Sequence, residues 1–421
     1  MKKELLFLLS VLQVFTATAQ ADYQQVVNSF RDLYNRQQTD SIFSMYSSRV
    51  KEMLPMDKTK QTFTQMFTQF GSLLSLNPEK QDANFARYKA TFANSILTMI
   101  LALDKDSHID GLRFIPYQTE QAGMSHKEDS SNISLKNAEG NIYGTLLLPE
   151  RRPKVPVVLI IAGSGPTDRN GNSPMGVNTN MYKMLADSLL QYGIASLRYD
   201  KRGIGESKAA FKSESELKFD DMVSDAVGFI KMLKADDRFS KVIVLGHSEG
   251  SLIGMIAAGR GKADAYISIA GAGDRIDKII ERQLASQSPQ MAATATVIFD
   301  SLSKGYTVQD PGSELTSLFR SSIQPYMISW LQYNPQQEIK KLKIPVLIIQ
   351  GTTDLQVSVQ DAQLLKKAKP EATLELIEQM NHVLKLAAAD RQANIATYSK
   401  PDLPIKPELT KYIEEFVHNI N

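Results

Sequence analysis

From Asp22 to about Leu76, apolar residues recur at three- and four-residue spacing. Val26, Val27, Phe30, Leu33 and Tyr34 come first, then Phe63, Met66, Phe67 and Phe70, which predicts helices with one face toward a core. The period then shortens. Phe85–Phe92, Ser95–Leu103 and His108–Tyr117 alternate or run apolar over strand lengths, with DKDS as a turn between the last two. Helices followed by antiparallel strands predict a small α+β domain over residues 21–117. Residues 118–130 are polar and aperiodic, as a linker is.

Beyond residue 131 the rhythm changes again. SLKNAEGNIYGTLLLPE predicts a hairpin, and strands then alternate with helices: Pro156–Gly163, a helix near Thr179–Tyr192, Ile194–Asp200, a helix near Leu217–Lys234, Lys241–Gly246, a helix from Ser248, and Ala265–Gly271. No strand pattern occurs over about 274–343, where helical spacing dominates. The alternation resumes with Ile344–Gly351, a helix over Asp361–Lys369, Ala372–Glu378 and a last helix near Lys406–Ile420. Continuously apolar strands between helices predict an α/β domain over residues 131–421, its mostly parallel sheet covered on both faces. The helical stretch is an insertion both of whose ends lie on that sheet, and it is expected to cover Ser248 as a lid.

Composition narrows the classes. The 48 basic and 46 acidic residues give a net charge of +2, so nothing points to nucleic acid as a partner. Lys2 and Lys3, the apolar run Leu5–Phe15 and the A-x-A pattern at Ala17–Ala19 form a secretory signal over residues 1–20, and its removal lowers the net charge to +1. That run is too short for a bilayer core of about 30 Å. The mature chain is expected to be secreted or periplasmic without a membrane anchor. With no cysteine it has neither disulfides, thiolate ligands nor a lipidation site, and it is not a lipoprotein.

The chemistry begins at GHSEG, residues 246–250, which lies between a strand pattern and a helix pattern. A serine hydroxyl becomes a useful nucleophile when it is exposed, has a base in reach and has donors for the charge it creates. In G-x-S-x-G after a strand, the glycines allow a sharp turn that lifts Ser248 above the sheet edge and aims the Glu249 N–H at the reacting carbonyl. A glycine-rich turn with a capping serine is the bland alternative. Five histidines are available as base. His108 and His126 precede the α/β domain, His247 points away from Ser248 by alternation, and His418 lies on the last helix. His382 follows a strand and is the candidate base, and Asp354 follows another strand and can orient it. The loop GSGPTDRNGN, residues 163–172, leaves the same edge, so the Ser164 N–H is the second candidate oxyanion donor. Asp168 in that loop is a candidate substrate contact, though an Asx turn would also explain it. Trp330 in QPYMISWLQY is a candidate lining residue of an acyl pocket, though aromatics at that spacing also build cores. No H-E-x-x-H or spaced histidine cluster suggests a metal.

These residues carry a resemblance. The chain from about Ser131 onward resembles the α/β-hydrolase superfamily, in its serine aminopeptidase and esterase-lipase branch. The residues that match are AGSGPTDRNGN at the oxyanion loop, YDKRGIGES at 199–207, GHSEG, GTTDLQV around Asp354, and Asn381-His382. Ala162-Gly163 stands where H-G is usual. The resemblance implies hydrolysis through Ser248, Asp354 and His382 without a cofactor, on a small-molecule ester substrate of short to medium acyl length. Peptide hydrolysis with an acidic anchor such as Glu281 or Glu314 is the alternative, and a non-catalytic binding protein on the same scaffold is a further one. Asp22 to about Tyr117 resembles the uncharacterised domain that precedes such hydrolases in secreted bacterial proteins, and also a cone of the nuclear transport factor 2 type.

Overall fold

The computed structural model describes residues 18–81, 85–93, 96–116, 129–150 and 154–420. Most of the expected signal segment and most of the expected linker lie outside these. The chain forms two compact units, divided between Met124 and Ser125.

In the first unit, helices α1 (Thr18–Asn35), α2 (Thr39–Ser44), α3 (Ser48–Met53) and α4 (Met56–Phe70) precede an antiparallel sheet. Its strands β1 (Leu73–Gln81), β2 (Ala86–Phe92), β3 (Ile96–Leu103) and β4 (Ile109–Pro116) lie in sequence order. Val27, Phe30, Tyr34 and Phe63 of the predicted helical faces are buried with Tyr88, Phe92 and Met99 of the strands. One boundary differs from the pattern. Helical spacing continues to about Leu76, but α4 stops at Gly71 (φ 73°), and Leu73–Gln81 pairs with β2 instead. Leu73 and Leu76 then face the core, and Pro78 is tolerated because β1 is an edge strand.

The second unit begins with the hairpin β5 (Asp129–Lys136) and β6 (Asn141–Leu148), so β5 starts two residues inside the stretch that reads as linker. There follow β7 (Val155–Ile161), a minute hairpin of β8 (Asn172–Ser173) and β9 (Val177–Asn178), α5 (Met181–Gln191), β10 (Ala195–Tyr199), α6 (Phe219–Lys234), β11 (Phe239–His247), α7 (Glu249–Gly261) and β12 (Ala265–Ile269). After the insertion come β13 (Val346–Gly351) and β14 (Thr373–Ile377). The eight large strands are ordered β14-β13-β12-β11-β7-β10-β6-β5, parallel except for the hairpin at one edge. This is the α/β-hydrolase architecture. Strands such as Val346–Gly351 are buried along their whole length, because helices cover both faces. Side chains of α6 and α7 pack on one face and those of α5 on the other.

The insertion comprises α8 (Ile276–Ala285), α9 (Pro289–Ser303), α10 (Thr316–Phe319), α11 (Gln324–Trp330) and α12 (Pro335–Lys341). It has an apolar cluster of its own, including Leu284, Ile298, Phe299, Phe319, Met327 and Leu331. Met327 and Leu331 are packed in that cluster.

The segment YDKRGIGES braces the loop after β7. Both Asp200 oxygens are occupied: Oδ1 accepts the Arg169 amide at 2.8 Å, and Oδ2 accepts the Arg169 guanidinium at 2.7 Å and the Glu206 amide at 3.0 Å. Without Asp200 the buried Arg169 guanidinium keeps only the exposed Glu206 carboxylate as an ion partner. Asp200→Ala should therefore lower unfolding stability by roughly 3–5 kcal/mol, read by urea denaturation. A change below about 1 kcal/mol would show that the brace carries no such weight.

Candidate active site

Ser248 joins β11 to α7 at φ 56°, ψ −122°, a conformation that side-chain-bearing residues seldom hold. Close approach of the chain requires the flanking glycines. A Cβ on Gly246 would stand 2.1 Å from the Gly250 carbonyl oxygen, and one on Gly250 2.3 Å from that of Ile161. The Ser248 amide donates to the Ile269 carbonyl at 3.0 Å, which ties the turn to β12. The serine is half-buried, and its hydroxyl bonds to no other described residue.

Asp354, on the loop after β13, and His382, on the loop after β14, form a pair: Nδ1 of the imidazole lies 2.8 Å from Oδ2 of the carboxylate. The carboxylate also accepts the Gln356 and Val357 amides at 2.8 and 3.0 Å and the Gln350 side-chain amide at 3.2 Å. Burial alone would raise the Asp354 carboxyl, but the His382 charge and hydrogen bond together with those amides hold it below the usual carboxylate range. An ionised Asp354 fixes the proton on Nδ1 and leaves Nε2 as the acceptor. The His382 loop is anchored by buried Asn381, whose side-chain amide donates to Thr397 at 2.7 Å and to Asn394 at 3.2 Å.

The oxyanion candidates follow by elimination. Gly163 lies against the nucleophile, since a Cβ there would stand 3.1 Å from the Ser248 Cβ. Its own N–H is used, donated to the Tyr182 hydroxyl at 3.0 Å. The next amide, Ser164, and the first amide of α7, Glu249, donate to no acceptor among the described residues.

His247 takes a part that alternation could not reveal. Its Nε2 lies 2.8 Å from the His382 carbonyl oxygen and its Nδ1 2.8 Å from the Tyr182 hydroxyl. A carbonyl can only accept, so Nε2–H donates to it and the tyrosine donates to Nδ1. A single chain of bonds thus runs from the backbone of the base through His247 and Tyr182 to the loop at Gly163. Burial, helped by the charge on His382, pushes the His247 imidazole down to about 3.

Of the remaining candidates, Asp168 holds its own loop, as Oδ1 accepts the Asn170 and Asn172 amides at 2.8 and 2.9 Å. Trp330 stacks on Phe219 with ring centroids 5.5 Å apart. His108 belongs to the first unit and His126 lies outside the described residues. His418 is paired at 3.7 Å with Glu414 on the last helix, Pro407–His418. The described residues hold one group with metal-ligand spacing, Asp104, Asp106 and His108, on the turn before β4. Asp104 Oδ1 already accepts the other two amides there.

Residues 175–386 match the family described as "Serine aminopeptidase, S33", a stretch that includes Ser248, Asp354 and His382. Residues 27–112 match a family of unknown function, DUF3887. Esterase EstD of Thermotoga maritima is 25% identical over 356 residues, covering 82% of this chain and 84% of that protein. Among solved structures, Est1E of Butyrivibrio proteoclasticus with bound ferulic acid has a TM-score of 0.46 at 18% identity, covering 68% of this chain and 100% of that one. The Pyrococcus furiosus esterase Pf2001 has a TM-score of 0.44 at 15% identity, covering 73% and 98%.

A neutral buried His247 has a consequence for acid stability. The unfolded imidazole takes up a proton near 6.5 and the folded one near 3, so between those values the unfolded chain binds more protons. Stability should fall as pH drops through that window, by up to ~1.4 kcal/mol per pH unit from this residue. His247→Gln should flatten the dependence, as measured by denaturant unfolding from about pH 4 to about pH 6. Equal slopes in both proteins would contradict the neutral imidazole.

Proposed function

The chain belongs to the serine aminopeptidase, S33 family of hydrolases, and on that footing we propose that it is a carboxylic ester hydrolase working through an acyl-enzyme on Ser248. The observation that carries this is the His382–Asp354 pair at 2.8 Å, on two loops of the sheet edge where the strained Ser248 stands. His382 Nε2 takes the Ser248 proton as Oγ attacks the acyl carbon. The Ser164 and Glu249 amides hold the oxyanion, and the imidazolium protonates the departing alcohol. Water, activated by the same imidazole, then releases the acid and frees Ser248.

Ester rather than amino-terminal peptide is favoured by where the carboxylates are. An anchor for a substrate ammonium must be unpaired. Glu281 is paired with Lys278 at 2.9 Å, Asp274 with Arg282 at 2.7 Å and Asp277 with Arg275 at 2.7 Å, while Glu314 is exposed. Glu249, beside the nucleophile, is occupied by Lys201 at 3.4 Å and by the Tyr326 hydroxyl at 2.8 Å. The similarity to esterase EstD supports the same reading.

The insertion serves as a lid in this proposal. Tyr326 of α11 reaches Glu249, and Gln283 of α8 donates to the Gln356 carbonyl at 2.9 Å beside Asp354, so both helices lie near the catalytic loops. Ile323 and Trp330 are only partly buried but pack against both apolar clusters, so the preference for short to medium acyl groups rests on the apolar character of the insertion. The first unit is proposed to be a cone of the nuclear transport factor 2 type, supported by helices packed on one antiparallel sheet. Export, supported by the residue 1–20 pattern, predicts a mature N-terminus near Gln20, which mass spectrometry of the extracellular protein would read; an intact Met1 there would refute it.

Ser248→Ala should abolish ester turnover and labelling by a fluorophosphonate. Asp354→Asn should reduce kcat on the order of 10⁴-fold, since an amide permits the wrong imidazole tautomer; a loss under tenfold would assign the acid elsewhere. On p-nitrophenyl esters kcat/KM should rise with each methylene that fits, roughly fourfold from ~0.8 kcal/mol, and then level off. Preference for free-amine aminoacyl anilides over butyryl esters would overturn the ester reading in favour of the peptidase.

A further inference from the structure

We propose that Lys201 is a positioning residue of the oxyanion hole: by gripping the Gly163 carbonyl it sets the direction and strength of the Ser164 N–H. The proposal rests on Ser248 being the nucleophile, as argued above. Lys201 is 5% exposed and follows β10, and its ammonium donates a short hydrogen bond to the Gly163 carbonyl oxygen. That oxygen and the Ser164 N–H belong to one peptide group. In a planar trans peptide the two point in opposite directions, so a fixed carbonyl fixes the aim of the amide on its far side. A cation on the carbonyl also draws electron density from the peptide and makes its N–H a stronger donor.

The surroundings favour this over a mere buried ion pair. A pair taken out of water is stabilising only with excellent geometry, and the Lys201–Glu249 separation is a loose 3.4 Å. The ammonium's other partner is the Gly163 carbonyl. Gly163 is held from its other side as well, by the Tyr182 hydroxyl, so the residue that faces Ser248 is clamped at both its N–H and its C=O. Glu249 completes the arrangement. Its backbone N–H is the second oxyanion donor, and its side chain links Lys201 to Tyr326 of the insertion at 2.8 Å. Both donors are therefore attached to one buried cluster, and seating of α11 bears on it through Tyr326.

The alternative is that Lys201 only neutralises Glu249. Three variants separate the two: Lys201→Met, Glu249→Gln, and the double variant Lys201→Met/Glu249→Gln, in which no charge is left unpaired and folding is preserved. Each is assayed for ester kcat and KM and for the rate at which a fluorophosphonate labels Ser248, a reaction that also builds negative charge on an oxygen in the hole. In the double variant kcat and the labelling rate should both fall roughly 10- to 100-fold with KM within about threefold, somewhat less than deleting a donor outright. Glu249→Gln alone should fall less. Wild-type rates in the double variant, or a raised KM at constant kcat, would overturn the proposal. Labelling of wild-type Ser248 without ester turnover would count against the ester reading alone, and the labelling ratio would still decide the role of Lys201. A wild-type Ser248 that does not label at all would overturn both.

Discussion

Holding Ser248 at φ 56°, ψ −122° costs on the order of 1–3 kcal/mol, and the hydrolase unit is arranged so that no other conformation is open to it. The elbow sits between β11 and α7, with β12 on one side of β11 and β7 on the other, in the middle of a sheet whose strands are buried along their length. A side chain at Gly246 or Gly250 would run into neighbouring backbone, where even a methyl group has no room. The strain is offset by burial of the elements on either side and by the bond from Ser248 to Ile269. The hydroxyl stands clear of the sheet edge as a result, where loops from β7, β13 and β14 can reach it.

Around this fixed point, polar groups are satisfied by partners from distant parts of the chain. Asp354 accepts four hydrogen bonds, and His247 spans from the His382 carbonyl to Tyr182 and so to Gly163. Lys385, buried beyond the base, has an ammonium that donates to the carbonyls of Thr179, Lys400 and Leu403. An unpaired polar group in such a place costs free energy, and of these groups only Gln350 Oε1, beside Asp354, has no partner among the described residues. Groups held in this way reorganise little when charge develops near them.

The insertion is built on a different principle. Its helices close over an apolar cluster of their own, and they are fastened to the rest of the unit by Tyr326 and Ile339 in the core of the sheet, by the stacking of Trp330 on Phe219, and by bonds from Tyr326 to Glu249, Arg282 to Asp361 and Arg320 to Glu214.

Most elements of both units could be read from the residues, because apolar spacing reports local conformation directly. Ser248, Asp354 and His382 could be picked out as candidates, since each stands at the end of a strand pattern in a short recognisable stretch. Leu73–Gln81 could not: its identity as a strand depends on pairing with β2, which no local period records. The same holds for Lys201, His247, Tyr182 and the Arg169–Asp200 brace. Their partners lie tens of residues away or more, and a lysine or tyrosine that grips a carbonyl looks, along the chain, like one that faces water. Sequence by itself determined the strand-helix order and named Ser248, Asp354 and His382 as the candidate nucleophile, acid and base, because those depend on period and residue type. Only the tertiary structure decided which amides remain free beside Ser248, because a hydrogen bond between distant segments exists only once the sheet has brought them together.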